Sequence, residues 1–257
     1  MRVTFLGTGT STGVPMIGCD CPVCTSPDPR NRRRRTSLYI EAGGVHLVVD
    51  TPPDFREQAL AYKIPRVDAL IFTHSHADHI FGFDDIRRFN TIQGCVIPAY
   101  GSADTLRDLR RIYDYVNEAE NPHGLYRPRV EFREITGPFA VGGVRVDPFP
   151  VEHGSETTLG YRFEEAGRTF AYAPDCVRIA EAHVRKLEGV DVMILDALRH
   201  RPHTTHFTVE ASVGALRRIK AGRSYLIHMS HELDHGETQK GLPESMHVSY
   251  DGLTLRW

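Results

Sequence analysis

The stretch of sequence that is most informative about the fold is residues 69–79, ALIFTHSHADH. Its apolar start predicts a short buried strand, and its end holds four potential metal ligands within six residues: His74, His76, Asp78 and His79. In an extended chain the first two histidines point to one side, whereas a helix beginning near Asp78 directs the other two ligands elsewhere. This arrangement favours two adjacent metal ions over one. The alternative is a polar strand-to-helix turn with incidental histidines.

Three further candidate ligands each lie just past the end of a predicted strand: His153, Asp175 and His228. Because strand ends present loop residues at one rim of a sheet, functional groups often collect there. Taken singly, His153 is equally consistent with a surface loop, and Asp175 with a helix N-cap. Together with residues 74–79, the three residues indicate a metal site.

A second cluster of possible ligands is the loop at residues 18–24, GCDCPVC. It contains three thiols: Cys19, Cys21 and Cys24. Their spacing is more typical of metal ligands than of disulfides. A closed zinc site takes four ligands, commonly three cysteines and one histidine. We expect His231, three residues after His228, as the fourth ligand, with His200 and His235 as alternatives. Three buried thiols without a metal are the other interpretation.

The overall composition is that of a globular protein. The 257 residues include 31 Lys and Arg against 33 Asp and Glu, a formal charge of −2, with 40% hydrophobic and 25% charged residues. This balance gives no electrostatic case for nonspecific binding to nucleic acid or to anionic membranes. No apolar run approaches the roughly 18–20 residues of a membrane-spanning helix, and the N-terminus becomes polar too early for a secretory signal. We therefore expect a cytoplasmic protein.

Strand-length apolar runs and helical patterns alternate irregularly along the chain, without a repeat or a linker. This pattern predicts one mixed α/β domain over residues 1–257, with helices at 53–62, 105–115, 180–187 and 208–219. Residues 42–44, Ala-Gly-Gly, predict a hairpin turn between two strands. The polar segment at about 117–138 is either a lid over a site or a surface excursion.

Two motifs near the N-terminus have less specific meanings. Residues 7–13, GTGTSTG, do not match the dinucleotide-binding fingerprint and predict a sharp turn that borders the metal site. Residues 32–35 are four consecutive arginines. In a neutral protein such a run is more often a solvated face than a nucleic-acid patch, although one arginine is able to meet a phosphate.

The HxHxDH pattern after a buried strand resembles the signature of the metallo-β-lactamase superfamily, whose fold is an α+β four-layer αββα sandwich. The resemblance covers essentially the whole chain and implies two catalytic divalent ions, Mn²⁺ or Zn²⁺. It assigns three ligands to one ion: His74, His76 and His153. It assigns three others to the second ion: Asp78, His79 and His228. Asp175 is the implied bridge between them.

The cysteine loop narrows the resemblance to the PhnP-like branch, phosphodiesterases that open phosphoribosyl 1,2-cyclic phosphates. Residues 50–56, DTPPDFR, and 203–206, HTTH, are also similar to that branch. The resemblance implies one structural Zn²⁺ at the cysteine loop and a small-molecule phosphodiester as the substrate. It also favours a homodimer.

The implied reaction is attack on phosphorus by a metal-bridging hydroxide, with Asp78 in the catalytic set. The leaving oxygen needs a proton, and histidine is a natural general acid near neutral pH. We expect His206 in this role, with His203 as the reserve. Asp50, at a strand end, is expected to orient a ligating histidine.

Three other functions remain open. A tRNA 3′-processing nuclease of the same superfamily shares the metal site, but the chain lacks an obvious long basic arm and its net charge is −2. A thioester or lactam hydrolase of the same fold is disfavoured by the cysteine loop. A zinc-binding module without turnover is disfavoured because a structural site closes at four ligands and needs no bridging carboxylate.

Overall fold

The computed structural model describes residues 1–116 and 126–257, and the strands within these ranges form two sheets. The strands of the first sheet are β1 (Arg2–Gly7), β2 (Ser37–Ala42), β3 (Val45–Val49), β4 (Ala69–Ile71), β5 (Ile97–Gly101), β6 (Val130–Glu134) and β15 (Thr254–Arg256). Their order is β15-β1-β2-β3-β4-β5-β6, antiparallel as far as β3 and parallel from β3 to β6. The predicted hairpin turn joins β2 to β3 through Gly43 and Gly44, both with positive φ.

The second sheet contains the remaining strands of the described residues. These are β7 (Phe139–Val141), β8 (Val144–Glu152), β9 (Thr158–Glu165), β10 (Arg168–Ala173), β11 (Arg178–Ile179), β12 (Val192–Asp196), β13 (Arg223–Ile227) and β14 (Met246–Val248). Their order is β11-β8-β9-β10-β12-β13-β14, and β7 pairs with β8. The four strands from β10 to β14 in this order are parallel.

The helices are short and lie on the outer faces of the two sheets. They are α1 (Phe55–Ala61), α2 (Ala77–Ile80), α3 (Ile86–Gln93), α4 (Ala103–Ile112), α5 (Glu181–Leu187), α6 (Val209–Ile219) and α7 (His235–Lys240). Apolar residues of α1, α3 and α4 pack on the first sheet, and those of α5 and α6 pack on the second.

Alternation along the strands explains this layering. Ala69 and Ile71 of β4 face the core between the two sheets, whereas Leu70 faces the helices. In β12, Val192 and Ile194 contribute to the same central core, and the intervening residues pack against α5 and α6. Strands buried on both faces are therefore apolar along most of their length. The layers are helix, sheet, sheet and helix, which confirms the expected four-layer sandwich.

Two expectations from the sequence need correction or restriction. Of the segment predicted to be irregular, residues 117–125 lie outside the described residues, and Val130–Glu134 form strand β6, which pairs with β5. Phe132 of this strand stacks on Phe83 with ring centroids 6.0 Å apart, so the strand is held by packing. Asp175 is not a helix N-cap, since α5 begins only at Glu181.

The candidate ligands lie where parallel strands end. Asp50 follows β3, residues 73–79 follow β4, Asp175 follows β10, Asp196 ends β12, and His228 follows β13. Such strand ends meet at one edge of each sheet. No helix within residues 1–116 and 126–257 combines the length and the apolar character needed to cross a bilayer.

Candidate metal centre

The first group of ligands comes from the segment after β4 and from the end of β8. The chain remains extended through His76, which precedes the first residue of α2, and its ring lies 4.4 Å from that of His74. The His153 ring lies 5.0 Å from each of these two rings. One ring nitrogen of each histidine lies within 4.8 Å of the others. These three residues form ligand group A, which matches the set that the resemblance assigns to one ion.

The second group combines α2 with two strand ends. Ligand atoms of its four members lie within 4.8 Å of one another: Asp78, His79, Asp175 and His228. His228 has a left-handed backbone conformation, with φ 60°, directly after β13. Non-glycine residues rarely adopt this conformation, and such strain clusters at functional sites. These four residues form ligand group B.

Asp175 lies between the two groups. Its Oδ2 atom is 3.9 Å from His74 Nε2 and 3.7 Å from His153 Nε2, both in group A. The same oxygen is 3.2 Å from His228 Nε2, and Oδ1 is 3.3 Å from His79 Nε2, both in group B. One carboxylate therefore faces both groups, which is the position of a bridging ligand.

Three ligand atoms of this centre are buried without conventional partners. His74 Nε2, His79 Nε2 and Asp175 Oδ1 make no hydrogen bond of good geometry to any described residue. Buried polar atoms are normally paired. Imidazole nitrogens and carboxylate oxygens that converge in this way suit divalent transition-metal ions. The donor set therefore fits two such ions.

The electrostatics of the buried ligands also suit cations. Burial opposes ionisation of Asp175, but His228 and His79 outweigh it and hold the pKa of Asp175 well below its usual value. Burial lowers the pKa of His74 well below its usual value, so this imidazole is neutral. Burial likewise opposes protonation of His79, yet Asp175, Asp50 and Asp78 raise the pKa of His79 well above its usual value. Metal ligands must be ionised carboxylates and neutral imidazoles, and the carboxylates around His79 attract a cation that replaces its proton.

Asp50 holds ligands of both groups in place. This fully buried carboxylate lies 2.8 Å from His79 Nδ1 through Oδ2, which also accepts the Thr73 hydroxyl at 2.8 Å. Its Oδ1 accepts the Thr73 main-chain N–H at 2.9 Å, and Thr73 Oγ1 lies 3.0 Å from His74 Nδ1. Because each ring is held at Nδ1, Nε2 is left to face Asp175.

His206 and His203 lie beside the centre on the loop before α6. The His206 ring stacks on His228 with centroids 4.8 Å apart, and the His203 ring lies 5.1 Å from that of His206. His206 Nδ1 lies 2.7 Å from Oδ2 of the fully buried Asp196. Burial lowers the pKa of both histidines, and burial raises the pKa of Asp196 well above its usual value.

Asp196 is a site residue that the sequence reasoning missed. It ends the apolar strand β12 at the same rim as Asp175. The strand-end criterion that identified Asp175 applies equally to Asp196, so the sequence contained the signal.

The cysteine loop forms a separate cluster. Four ligand atoms lie within 4.8 Å of one another in this cluster: the sulfur atoms of Cys19, Cys21 and Cys24, and one ring nitrogen of His231. His231 Nδ1 is 3.3 Å from Cys19 Sγ and 3.4 Å from Cys21 Sγ. The main-chain N–H of Cys24 is the main cause that lowers the pKa of Cys21 to about 6, whereas burial raises the pKa of Cys24 to about 11. Three thiols and one imidazole fit a closed zinc site.

The two alternative histidines lie elsewhere. His200 Nδ1 pairs with Glu210 at 2.6 Å, and the His235 ring packs beside Tyr250 with centroids 5.8 Å apart. Within the described part of the chain, neither residue joins a metal-like cluster.

Comparison with known proteins establishes the family. Residues 46–229 match the model of the β-lactamase superfamily domain. The chain belongs to the metallo-β-lactamase superfamily. It falls among the PhnP-like members: it is 40% identical to a diphosphatase of the PhnP family, with a TM-score of 0.91 over 100% of this chain and 97% of that chain.

Two other similar proteins are informative. The chain is 36% identical to an octanoyltransferase of Porphyromonas gingivalis over 98% of its own length, but it spans only 51%, about half, of that protein. It is similar in fold to Zn²⁺-bound PqqB from Methylobacterium extorquens, with 23% identity and a TM-score of 0.84 over 100% of both chains.

Proposed function

We propose that this protein is a dinuclear metal-dependent phosphodiesterase that hydrolyses cyclic or nucleotide-like phosphodiesters, including esters of diphosphates. The observation that carries the proposal is the position of Asp175, within 3.9 Å of histidine nitrogens in both ligand groups. The description of the PhnP-family relative as a diphosphatase supports phosphorus as the reacting centre. We further propose one Zn²⁺ at the cysteine loop.

The catalytic ions are proposed to be held by groups A and B, with Asp175 as the shared ligand. When bound, two adjacent divalent ions lower the pKa of a shared water to about 7 and stabilise negative charge on phosphoryl oxygens. His76 is exposed, whereas the other members of group A are buried. A substrate therefore approaches from the side of His76.

The protein itself supplies the proton for the leaving oxygen. His206 is the proposed donor because its ring lies against His228 and 4.7 Å from the His153 ring. The Asp196 carboxyl group lies 2.7 Å from Nδ1 of His206 and leaves Nε2 free to face the substrate. His203 is the reserve, since its Nδ1 accepts the main-chain N–H of Thr205 at 3.3 Å and has no carboxylate partner among the described residues.

Two observations distinguish this function from its alternatives. The Asp175 position disfavours a binding module, because a closed four-ligand site needs no carboxylate between two ligand groups. The octanoyltransferase name belongs to a protein of about twice the length, so acyl transfer does not follow from that relative.

The proposal is tested with bis(p-nitrophenyl) phosphate and protein loaded with Mn²⁺ or Zn²⁺. We expect metal-dependent hydrolysis of this diester, and loss of it in Asp175→Ala. Asp147→Ala is the matched control, because this carboxylate lies on β8 and pairs with Arg145. Hydrolysis of a thioester or a lactam with the diester untouched would overturn the proposal, as would wild-type turnover in Asp175→Ala.

A further inference from the structure

One cavity is lined by described residues that are not ligands of the metal centre. It measures about 490 Å³ and is lined by residues 12–15, by the arginines 32–35 and by Tyr62, among others. We call it the arginine cavity. None of the described residues that line it belongs to group A, group B or the cysteine cluster. Its volume falls within the range of small-molecule sites, roughly 300–1,000 Å³.

The backbone of the arginine segment is fixed against the glycine-rich loop. The main-chain N–H of Gly9 donates to Arg34 O at 2.8 Å, and Val14 and Arg33 exchange two main-chain hydrogen bonds of 2.8 Å each. A Cβ atom on Gly7 would lie 2.0 Å from Arg35 O, so only glycine permits this contact. The arginines are therefore presented from an ordered backbone, which reduces the entropy lost when a ligand binds.

Successive side chains of the segment have different partners. Arg33 is buried and donates to Ser230 O at 3.0 Å and to Leu233 O at 2.8 Å. Arg35 pairs with Asp54 at 2.9 Å. Both guanidinium groups are thus occupied within the protein.

The other two arginines of the segment also line the cavity. Arg32 is exposed, and its guanidinium makes no hydrogen bond or ion pair with the described residues. Arg34 lies beside the Tyr62 hydroxyl. A guanidinium group binds phosphate oxygens with two parallel hydrogen bonds, so two such groups suit a phosphate monoester.

The remaining wall has satisfied carboxylates and an apolar side. Asp54 is held by Arg35, and Asp251 accepts the Thr8 hydroxyl and the Arg34 main-chain N–H, each at 2.8 Å. Pro15, Pro29 and Ile17 form the apolar side, and Ile17 is 96% exposed. Exposure of a large apolar side chain next to these two guanidinium groups suits a ligand with both an anionic and an apolar part.

We propose that the arginine cavity is a second binding site, for an organic phosphate. Arg32 and Arg34 bind its phosphate, and the apolar part of the ligand packs against Tyr62 and Pro15. The organic phosphate is either the distal end of the substrate or a separate ligand. The cavity proposal does not depend on the phosphodiesterase proposal.

The test is calorimetric titration of the metal-loaded protein with adenosine 5′-monophosphate. We expect the Arg32→Ala/Arg34→Ala variant to bind it about tenfold or more weakly than wild type, because charge-assisted hydrogen bonds are lost. Arg217→Ala/Arg218→Ala on α6 is the matched control, with the same loss of charge and unchanged binding expected. A thermal melt confirms that each variant is folded, and turnover of bis(p-nitrophenyl) phosphate should change by less than about twofold.

Inhibition distinguishes the two sources of the phosphate. If the nucleotide inhibits diester hydrolysis competitively, and this inhibition is weaker in Arg32→Ala/Arg34→Ala, the cavity is the distal part of the substrate site. Binding without inhibition identifies a separate ligand. Equal isotherms for wild type and Arg32→Ala/Arg34→Ala, or no binding by wild type, would overturn the proposal. A wild type that binds through these arginines but hydrolyses no diester would refute the phosphodiesterase alone.

Discussion

At the scale of single residues, the chemistry depends on which atom of each side chain is left to face the metal centre. His153 Nδ1 donates to the Thr205 carbonyl at 2.9 Å, and Asp50 holds His79 Nδ1 at 2.8 Å. Both rings therefore direct Nε2 toward Asp175. Hydrogen bonds at the distant nitrogen fix the tautomer and the orientation of a metal-binding histidine.

Removal of His206 should affect substrates according to their leaving group. We expect His206→Ala to slow an alkyl phosphodiester by roughly 10²–10⁴-fold, because a poor leaving group needs the proton. The p-nitrophenyl diester leaves without protonation and should be slowed far less. Steady-state kinetics with both substrates measures the difference, with His203→Ala as the control. Equal slowing of the two substrates would remove the general-acid role.

Asp251 should make the stability of the protein depend on pH. Burial raises the pKa of this carboxyl to about 7 in the folded state, against about 3.9 in an unfolded chain. The folded state favours the neutral form of Asp251. The contribution of this group to stability is therefore fully present below its pKa in the unfolded chain and is lost as the pH rises through about 7.

We expect the free energy of unfolding in urea to decline between about pH 4 and pH 7 with a slope of up to about 1.4 kcal/mol per pH unit from this group. Asp251→Asn should remove that part of the decline. The same slope in wild type and variant would show that Asp251 is not the group responsible.

The residue pattern explains why most of the centre could be predicted from the sequence. Histidines clustered at 74–79 are unusual, and the strand-end position made Asp175 a candidate ligand. Its role as the bridge came from the family resemblance. Asp196 meets the same strand-end criterion at the end of β12, but the sequence does not show which side chain it contacts. Only folding brings it to 2.7 Å from His206, ten residues away.

At the scale of elements, helix α4 connects the two segments that supply group A. The Asp108 carboxylate accepts the Ser75 hydroxyl at 2.8 Å, and Asp104 accepts the Thr157 hydroxyl at 2.7 Å. Ser75 lies between two ligands, and Thr157 follows His153 by four residues. Residues four apart share one face of a helix, so α4 holds both segments at once.

Loss of both carboxylates should loosen group A. We expect Asp104→Ala/Asp108→Ala to weaken metal binding by about tenfold, as for other partners of metal-binding segments. Arg107→Ala/Arg111→Ala is the matched control. These arginines pair with the same two carboxylates, and their replacement leaves both carboxylates in place. Competition with a chelator of known affinity measures the change. Equal affinity in the two variants would contradict the role of α4.

Element prediction succeeded where apolar residues are periodic and failed where few residues of an element are buried or where a proline interrupts the strand pattern. The helix predicted at 208–219 is observed as Val209–Ile219, with Thr208 as the N-cap. Helix α3 (Ile86–Gln93) was not predicted, since it buries only Ile86, Phe89 and Asn90. Strand β5 (Ile97–Gly101) was not predicted either; it contains Pro98, which cannot donate to a ladder.

At the scale of the whole molecule, the sandwich brings distant parts of the chain to one rim. Groups A and B draw on both sheets, with residues 74–79 from the first and three later strand ends from the second. His228 and His231 belong to one short segment that reaches both the metal centre and the cysteine cluster. The fold therefore predicts two separate metal sites with separable ligands.

Metal analysis of the purified protein tests this central claim most directly. With ample metal supplied, we expect roughly three ions per wild-type chain, about two per Cys21→Ser chain and about one per Asp175→Ala chain. Inductively coupled plasma mass spectrometry, normalised to protein concentration, gives these values. Full metal content in Asp175→Ala, or one ion or fewer in wild type, would contradict the account.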